Sequence, residues 1–380
     1  MIYLDSAATT LQKPASVRRA SAYAVDHFSS PGRGGYPTST KAEEVAFSCR
    51  EAAGELFHIA PERVVFTSNA THALNIAIKS VVRPGDAVLV SGYEHNAVTR
   101  PLHAIPNVTC RVASAPLFEP EVILCSMRTQ LELGVSAVVC THVSNVFGFI
   151  LPMEGIAALC REFQVPLIVD ASQSAGTLPV DCSKWGASFV AMPGHKGLYG
   201  PQGTGLLLCG GDTVPKPLLE GGTGSLSKSA EMPDFLPDCL EAGTHNIPGI
   251  AGLLEGIRFV SRKTTATILQ HERDLGMESV RGLSCMIGIR VFASEYFHCQ
   301  AGVLSFQVYG MDCQEVSQWL ARQGIAVRAG LHCAPLAHQT AGTLEEGTVR
   351  MSVSAFNNKR EIDHFLKKMQ QLLRQRRKKK

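Results

Sequence analysis

Residues 191–205 read AMPGHKGLYGPQGTG. Lys196 follows His195 and is bracketed by glycines and prolines, company that a solvated surface lysine does not need. A lysine held at a backbone turn after an apolar run is placed for amine chemistry, either attack on a carbonyl or proton transfer. Three other apolar runs end in reactive tips. Glu94-His95 follows DAVLVSGY, Ser144-Asn145 follows SAVVCTHV, and Asp170 with Gln173 lies in VPLIVDASQSAG. A single His after a strand reads as a loop residue, and a single Asp as the cap of the next helix. Taken together, the four tips supply an amine, a carboxylate, an imidazole and two amides, and that set points to one site.

The elements that must position these tips alternate in type. RVVFTS (63–68) reads as a strand, followed by a helix through ATHALNIAIKSVV. DAVLVSGYEH is strand then loop, with helix from Asn96. SAVVCTHVSN is a strand, GIAALCREFQ has helical spacing, and VPLIVDASQSAG and ASFVAMPGHKGLYG each run from strand into turn. Continuous apolar strands separated by helices predict an α/β fold with a mostly parallel sheet covered on both faces. Ligands bind at the carboxyl ends of such strands, where all four tips fall. After about residue 250 the pattern changes. A long helical region, IAGLLEGIRFVSRKTTATILQHERDL, leads into VLSFQV, a helix CQEVSQWLARQG, then IAVRAGLHCAP, TVRMSVS and a last helix from Lys359. This predicts a large domain over 1–249 and a smaller α+β domain over 250–380, with residues 1–15 available to pack on the smaller one.

Bulk composition narrows the function classes. The 380 residues suffice for about two domains, and 45% hydrophobic with 18% charged residues is a globular balance. A net charge of +3 gives no argument for nucleic acid, and the terminal RQRRKKK reads as a solvated end. No apolar run approaches the ~20 residues of a membrane span. MIYLDSAATT lacks the basic and apolar regions of a signal peptide, so a cytoplasmic location is expected. The 12 cysteines are scattered, without CxxC pairs, which supports neither a zinc site nor a disulfide framework.

A lysine and an aspartate in one site suit pyridoxal phosphate. The lysine amine forms a Schiff base with it, and a carboxylate keeps the pyridine nitrogen protonated, so that the ring takes up electrons from the substrate α-carbon. Lys196 suits the first role and Asp170 the second. The segments YLDSAATT, TSNATHALN, YEHNAV, HVSNVFG, VDASQSAG, GHKGLYGPQGTG, EAGTHN, RAGLHCAP and VRMSVSAFN occur in an order that resembles the class V aminotransferase fold, and within it the cysteine desulfurases. The resemblance spans residues 3 to about 365. VDASQSAG and GHKGLYGPQGTG are specific to the fold, which is the type I fold of pyridoxal phosphate transferases. RAGLHCAP is specific to the Suf-type and selenocysteine lyase branch.

The resemblance implies roles residue by residue. Lys196 carries the cofactor and moves protons on the substrate, Asp170 pairs with the pyridine nitrogen, and Gln173 bonds the phenolic oxygen. His95 stacks on the ring and aids proton transfer, and Asn145 lies near the ring and the substrate carboxylate. Ala70 and Thr71 open a helix whose N–H groups, with the Thr71 hydroxyl, can hold the phosphate. His195 adds a contact, and Thr223 reaches the phosphate of a neighbouring subunit, which implies a homodimer. Arg350 matches the arginine that grips the α-carboxylate, and Arg328 a second family arginine. Cys333 is the thiol that attacks the substrate sulfur and keeps it as a persulfide for an acceptor protein, with Arg328 and His332 beside it to favour thiolate.

Three positions depart from the pattern. Pro193 stands where a phosphate-binding serine is common, His72 where glutamate is usual, and Leu331 where a second histidine is frequent. The expected activity is conversion of L-cysteine to L-alanine. The alternatives are a selenocysteine lyase using L-selenocysteine, another lyase or aminotransferase on the same fold, and a persulfide carrier that turns over poorly.

Overall fold

The computed structural model describes residues 1–32 and 34–377, without the side chains of Tyr296 and Arg377; the end of the basic tail, 378–380, lies outside the described residues. The chain opens with β1 (Ile2–Tyr3), α1 (Ala15–His27) and α2 (Pro37–Phe57). The alternating part follows: β2 (Val64–Thr67), α3 (Ala70–Val81), β3 (Ala87–Ser91), α4 (Asn96–His103), β4 (Thr109–Ala113), α5 (Pro120–Glu132), β5 (Ala137–Thr141), α6 (Met153–Glu162), β6 (Leu167–Asp170), α7 (Cys182–Trp185), β7 (Phe189–Pro193) and β8 (Gly205–Cys209). Then come α8 (Ile247–Lys263), α9 (Thr265–Ser284), β9 (Ile289–Phe292), β10 (Val303–Val308), α10 (Cys313–Arg322), β11 (Ile325–Ala326), β12 (Arg328–Gly330), α11 (Pro335–Thr340), β13 (Thr348–Ser352) and α12 (Lys359–Arg377).

The large sheet has the order β2-β8-β7-β6-β5-β3-β4. Its strands are parallel except β8, which runs antiparallel to both neighbours. The mostly parallel covered sheet is therefore as expected, while β8 is an insertion that no motif announced: GLLLC is apolar throughout and carries no direction. Strand side chains alternate between faces. Phe189 and Ala191 join the apolar cluster with α3 and α4, whereas Val190 and Met192 join the opposite cluster with α2, α5, α6 and α8. The same parity sends Val139 and Ile168 toward α3 and α4. Two residues on, Thr141, Asp170 and Pro193 fall on that face at the carboxyl edge. The order also reverses here: β3 continues outward to β4, while β5, β6 and β7 step the other way. Loops diverging from such a reversal leave a crevice.

The long helical region after residue 250 is two helices, broken at Thr264, whose backbone takes φ 66°. The expected division at 249/250 falls inside α8, whose Ile250, Leu253 and Ile257 belong to the cluster of the large sheet. The second sheet is antiparallel, ordered β12-β13-β10-β9, and β1 pairs in parallel with β11. On β13, Val349 and Met351 enter the core with Phe306, Ile362 and Phe365. Thr348, Arg350 and Ser352 accordingly face the other way.

Candidate active site

One cleft at the carboxyl edge of the large sheet is lined by Ala70, Thr71, His95, Asn145, Asp170, Gln173, His195 and Lys196. These are eight of the residues singled out in the sequence, drawn from segments over 100 residues apart. Asn69, Ala97, Thr141, Val143 and Ser172, which carried no sequence signal of their own, complete the wall with Pro193.

Lys196 follows β7 on a tight loop. Gly194 N–H donates to Thr204 O (2.8 Å), Gly200 N–H to Gly194 O (2.7 Å) and Tyr199 N–H to Lys196 O (2.9 Å). A Cβ on Gly194 would collide with Thr204, and one on Gly197 would stand 2.4 Å from Ala175 O, so the sheet and the loop after β6 fit only around glycine here. Burial pushes the Lys196 amine down to about 8; Arg350 and Arg328 push the same way, and the Asp170 charge opposes them. Asp170 ends β6 and accepts the Ser172 N–H on Oδ1 (2.9 Å), which fixes its carboxylate at the cleft.

His95 caps α4. Its Nδ1 accepts the Ala97 N–H (3.0 Å), which leaves the ring proton on Nε2. Burial holds it below the usual imidazole range, partly offset by Asp170. His195 is likewise pushed down, to about 4, mainly by burial, and its Nδ1 lies 3.0 Å from Thr9 Oγ1. Gln173 donates to Ala7 O (2.9 Å).

At the start of α3, Asn69 Oδ1 accepts the His72 N–H (2.9 Å) and Asn69 O accepts the Ala73 N–H (3.2 Å). The N–H groups of Ala70 and Thr71 are thereby left for an anion, as helix geometry requires. His72, where glutamate is usual, has an account here. Its Nδ1 accepts the N–H of Ser68 (3.3 Å), the residue before the N-cap Asn69, so the ring reaches back across the helix start.

Arg350 and Cys333 approach from the smaller sheet and are not part of this cleft wall. Arg350 is buried, donating through Nη1 to Asn145 O (2.9 Å) and through Nη2 to Asp5 Oδ1 (2.8 Å). Its Nε and the Oδ1 of Asn145 are buried without partners. Arg328 is exposed and lies opposite Arg350 in the β12–β13 register. Cys333 is exposed on the loop after β12, where His332 and Cys333 both take positive φ (50° and 55°). The loop is anchored by its carbonyls: Asn96 N–H donates to Cys333 O (2.7 Å), and Asn145 Nδ2 to His332 O (2.8 Å). The expectation that His332 favours thiolate is corrected. Burial, then Arg350, push it down to about 2, so it is a neutral ring bonded to Thr348 Oγ1 (3.1 Å) and supplies no charge. Thr223 lies on the loop between β8 and α8, outside the cleft of its own chain.

The donor set fits pyridoxal phosphate: an amine of lowered basicity, a carboxylate, a neutral imidazole and free helix N–H groups share one cleft. The class V aminotransferase model matches residues 2–365. A probable cysteine desulfurase of Methanothermobacter thermautotrophicus is 32% identical over 374 residues, covering 95% of this chain and 92% of its own. One from Vibrio cholerae is 32% identical over 381 residues, covering 96% and 92%. The apo structure of a cysteine desulfurase from Thermococcus onnurineus superposes with a TM-score of 0.90 at 28% identity, covering 98% of this chain and 94% of that one. The chain thus belongs to the class V aminotransferase family of pyridoxal phosphate enzymes, and within it to the cysteine desulfurases. Among the described residues, no helix is long and apolar enough to cross a membrane.

Proposed function

We propose that this enzyme converts L-cysteine to L-alanine and carries the sulfur as a persulfide on Cys333. The observation that carries the reading is the convergence of Lys196, Asp170, His95 and the open start of α3 in one cleft. Lys196 would hold the cofactor, Asp170 its ring nitrogen, Gln173 its phenolic oxygen, and His95 its face. Ala70, Thr71 and His195 would hold the phosphate. Thr223, outside its own cleft, suits the same task across a homodimer interface. Pro193 lines the cleft without a hydroxyl, which leaves more of the phosphate to the α3 amides.

When bound, the protonated ring withdraws the electrons left at the substrate α-carbon. The chain's own groups do the rest. Arg350 binds the α-carboxylate through paired N–H donors, with Arg328 adding positive charge nearby and Asn145 orienting the carboxylate. Lys196, its amine pushed down to about 8, takes the α-proton at Nζ near neutral pH. The Cys333 thiolate would then attack the substrate sulfur: an S–S bond forms, the Cβ–S bond breaks and its electron pair takes a proton to make the methyl group, and the proton held at Lys196 Nζ returns to the α-carbon to complete alanine. An exposed Cys333 suits delivery to an acceptor protein. Twelve free cysteines suit a reducing compartment, the cytoplasm.

The test compares purified wild type, Lys196→Ala and Cys333→Ala. Lys196→Ala should lose the yellow covalent adduct and all turnover. Cys333→Ala should keep the colour and stop releasing sulfide from cysteine. Full sulfide release by Cys333→Ala would defeat the persulfide reading, and turnover of selenocysteine alone would favour the lyase.

A further inference from the structure

Arg350 already has a carboxylate. Asp5, on the segment after β1, accepts from Nη2 with one oxygen at 2.8 Å, while Nε stays buried and unpaired. A guanidinium binds a carboxylate best through two parallel N–H donors, so Asp5 leaves half of that capacity unused. A ligand carboxylate arriving at the same guanidinium meets a like charge. Two carboxylates crowded in a place this dry repel each other. Asp5 is the member with somewhere to go: its side chain is 18% exposed, against 3% for Arg350.

The segment that carries Asp5 is tied to the catalytic loop at its other end. Asp5 O accepts the Ala8 N–H (3.0 Å), and Ala7 O accepts from Gln173 Nε2 (2.9 Å). Beyond it, one carbonyl, His195 O, receives four donors: Thr10 N–H (3.1 Å), Thr9 Oγ1 (3.2 Å), Thr10 Oγ1 (3.0 Å) and Lys13 Nζ (3.0 Å). That peptide joins His195 to Lys196. Residues 5–13 are therefore a strap between the carboxylate-binding arginine and the cofactor lysine.

We propose that Asp5 is a specificity-determining residue, an internal competitor that a substrate carboxylate must displace from Arg350, and that its release loosens the strap over the lysine loop. The proposal rests on the reading of Arg350 as the carboxylate site. Amines without a carboxylate leave the pair and the strap intact.

The experiment titrates holoenzyme with L-alanine and with ethylamine, the same molecule without its carboxylate, followed by cofactor absorbance. Asp5→Asn keeps the side-chain shape and removes the competing charge. L-alanine affinity should rise roughly fivefold or more, because the competent state no longer has to be freed, and ethylamine affinity should stay unchanged. Weaker L-alanine binding, or an equal shift for both ligands, overturns the proposal. Wild-type holoenzyme gives a second readout: L-alanine, but not ethylamine, should speed amide exchange at Ala8 and Thr10, and equal protection with both ligands overturns the strap. Arg350→Gln separates the levels. It should weaken L-alanine selectively; if it does not, the carboxylate reading of Arg350 fails, and the strap with it.

Discussion

The lysine loop and the cysteine loop are built to opposite plans. Lys196 sits on a turn clamped on every side, with the His195 carbonyl gripped by Thr9, Thr10 and Lys13 and glycines packed against neighbouring backbone. Cys333 sits exposed on a loop held by two carbonyls, with two successive residues in the left-handed region. A cofactor's tethering amine must meet a ring at fixed geometry in a dry place, which rewards rigidity and burial. A thiol that collects sulfur in one place and hands it on in another needs access. Under the proposed roles, the two chemical steps fall to two mechanical environments, one on each sheet.

Glycine substitutions give the largest test of that contrast. Gly176 has φ +87°, and a Cβ there would collide with the Gly197 carbonyl, which is backbone and cannot swing aside. Gly176→Ala should cost more than about 3 kcal/mol and abolish cofactor uptake, since strain and clash add at a buried turn. Gly330, just before the cysteine loop, has φ +106°, but its nearest obstacle is the flexible Gln314 Nε2 at 3.3 Å. Gly330→Ala should cost about 1–2 kcal/mol, the strain alone, and keep the cofactor. Denaturant midpoints and absorbance of the two variants check both; equal losses would erase the distinction.

The next effect is on pH. With the Lys196 amine pushed down to about 8 by burial, the neutral, nucleophilic form at pH 7 is roughly 300-fold more abundant than for an ordinary lysine. Cofactor uptake by the apoprotein should climb with pH through a midpoint near 8 and level off about a unit above it. Cys333→Ala should trace the same curve, because the Cys333 thiol is not among the groups that shift the lysine. A midpoint near 10 would show that the clamped loop does not keep the amine dry.

What the sequence made legible follows the same division. Lys196, Asp170, His95 and Asn145 end continuous apolar runs, and a parallel sheet brings such ends together without further information. Ala70 and Thr71 were legible as a helix start. The antiparallel β8 was not, because GLLLC gives no direction. Nor was the tie between Asp5 and Arg350, 345 residues apart, since β1 is a two-residue strand with no periodicity to read. His332 looked like a charge source beside Cys333 because proximity in sequence says nothing about burial. His72 looked anomalous until the Ser68 N–H was seen to fill its ring nitrogen.

The smallest test concerns Glu94, a carboxyl at the base of the lysine site that neither loop explains. It is fully buried; its Oε1 accepts from Ser91 Oγ and from the Thr141 N–H (2.9 Å), and its Oε2 has no partner. Burial pushes it up to about 8, and the nearby Asp170 charge adds to the rise, while the bonds from Ser91 and Thr141 oppose it. Two carboxyls in one dry region do not both ionise freely, so Glu94 holds a proton at neutral pH. An acid with a raised folded pKa binds its proton more tightly folded than unfolded. Its stabilisation is full below about 4.5 and is lost as pH rises through about 8. Glu94→Gln keeps an oxygen for Ser91 and Thr141 and cannot ionise. It should be nearly neutral for stability near pH 4, more stable than wild type already at pH 6, and more stable by on the order of 1–3 kcal/mol at pH 9, where the difference levels off. Parallel unfolding curves from pH 5 to 9 would mean that Glu94 is already charged in the fold, and that the rigid, dry base assigned to the lysine site is wetter than its packing implies.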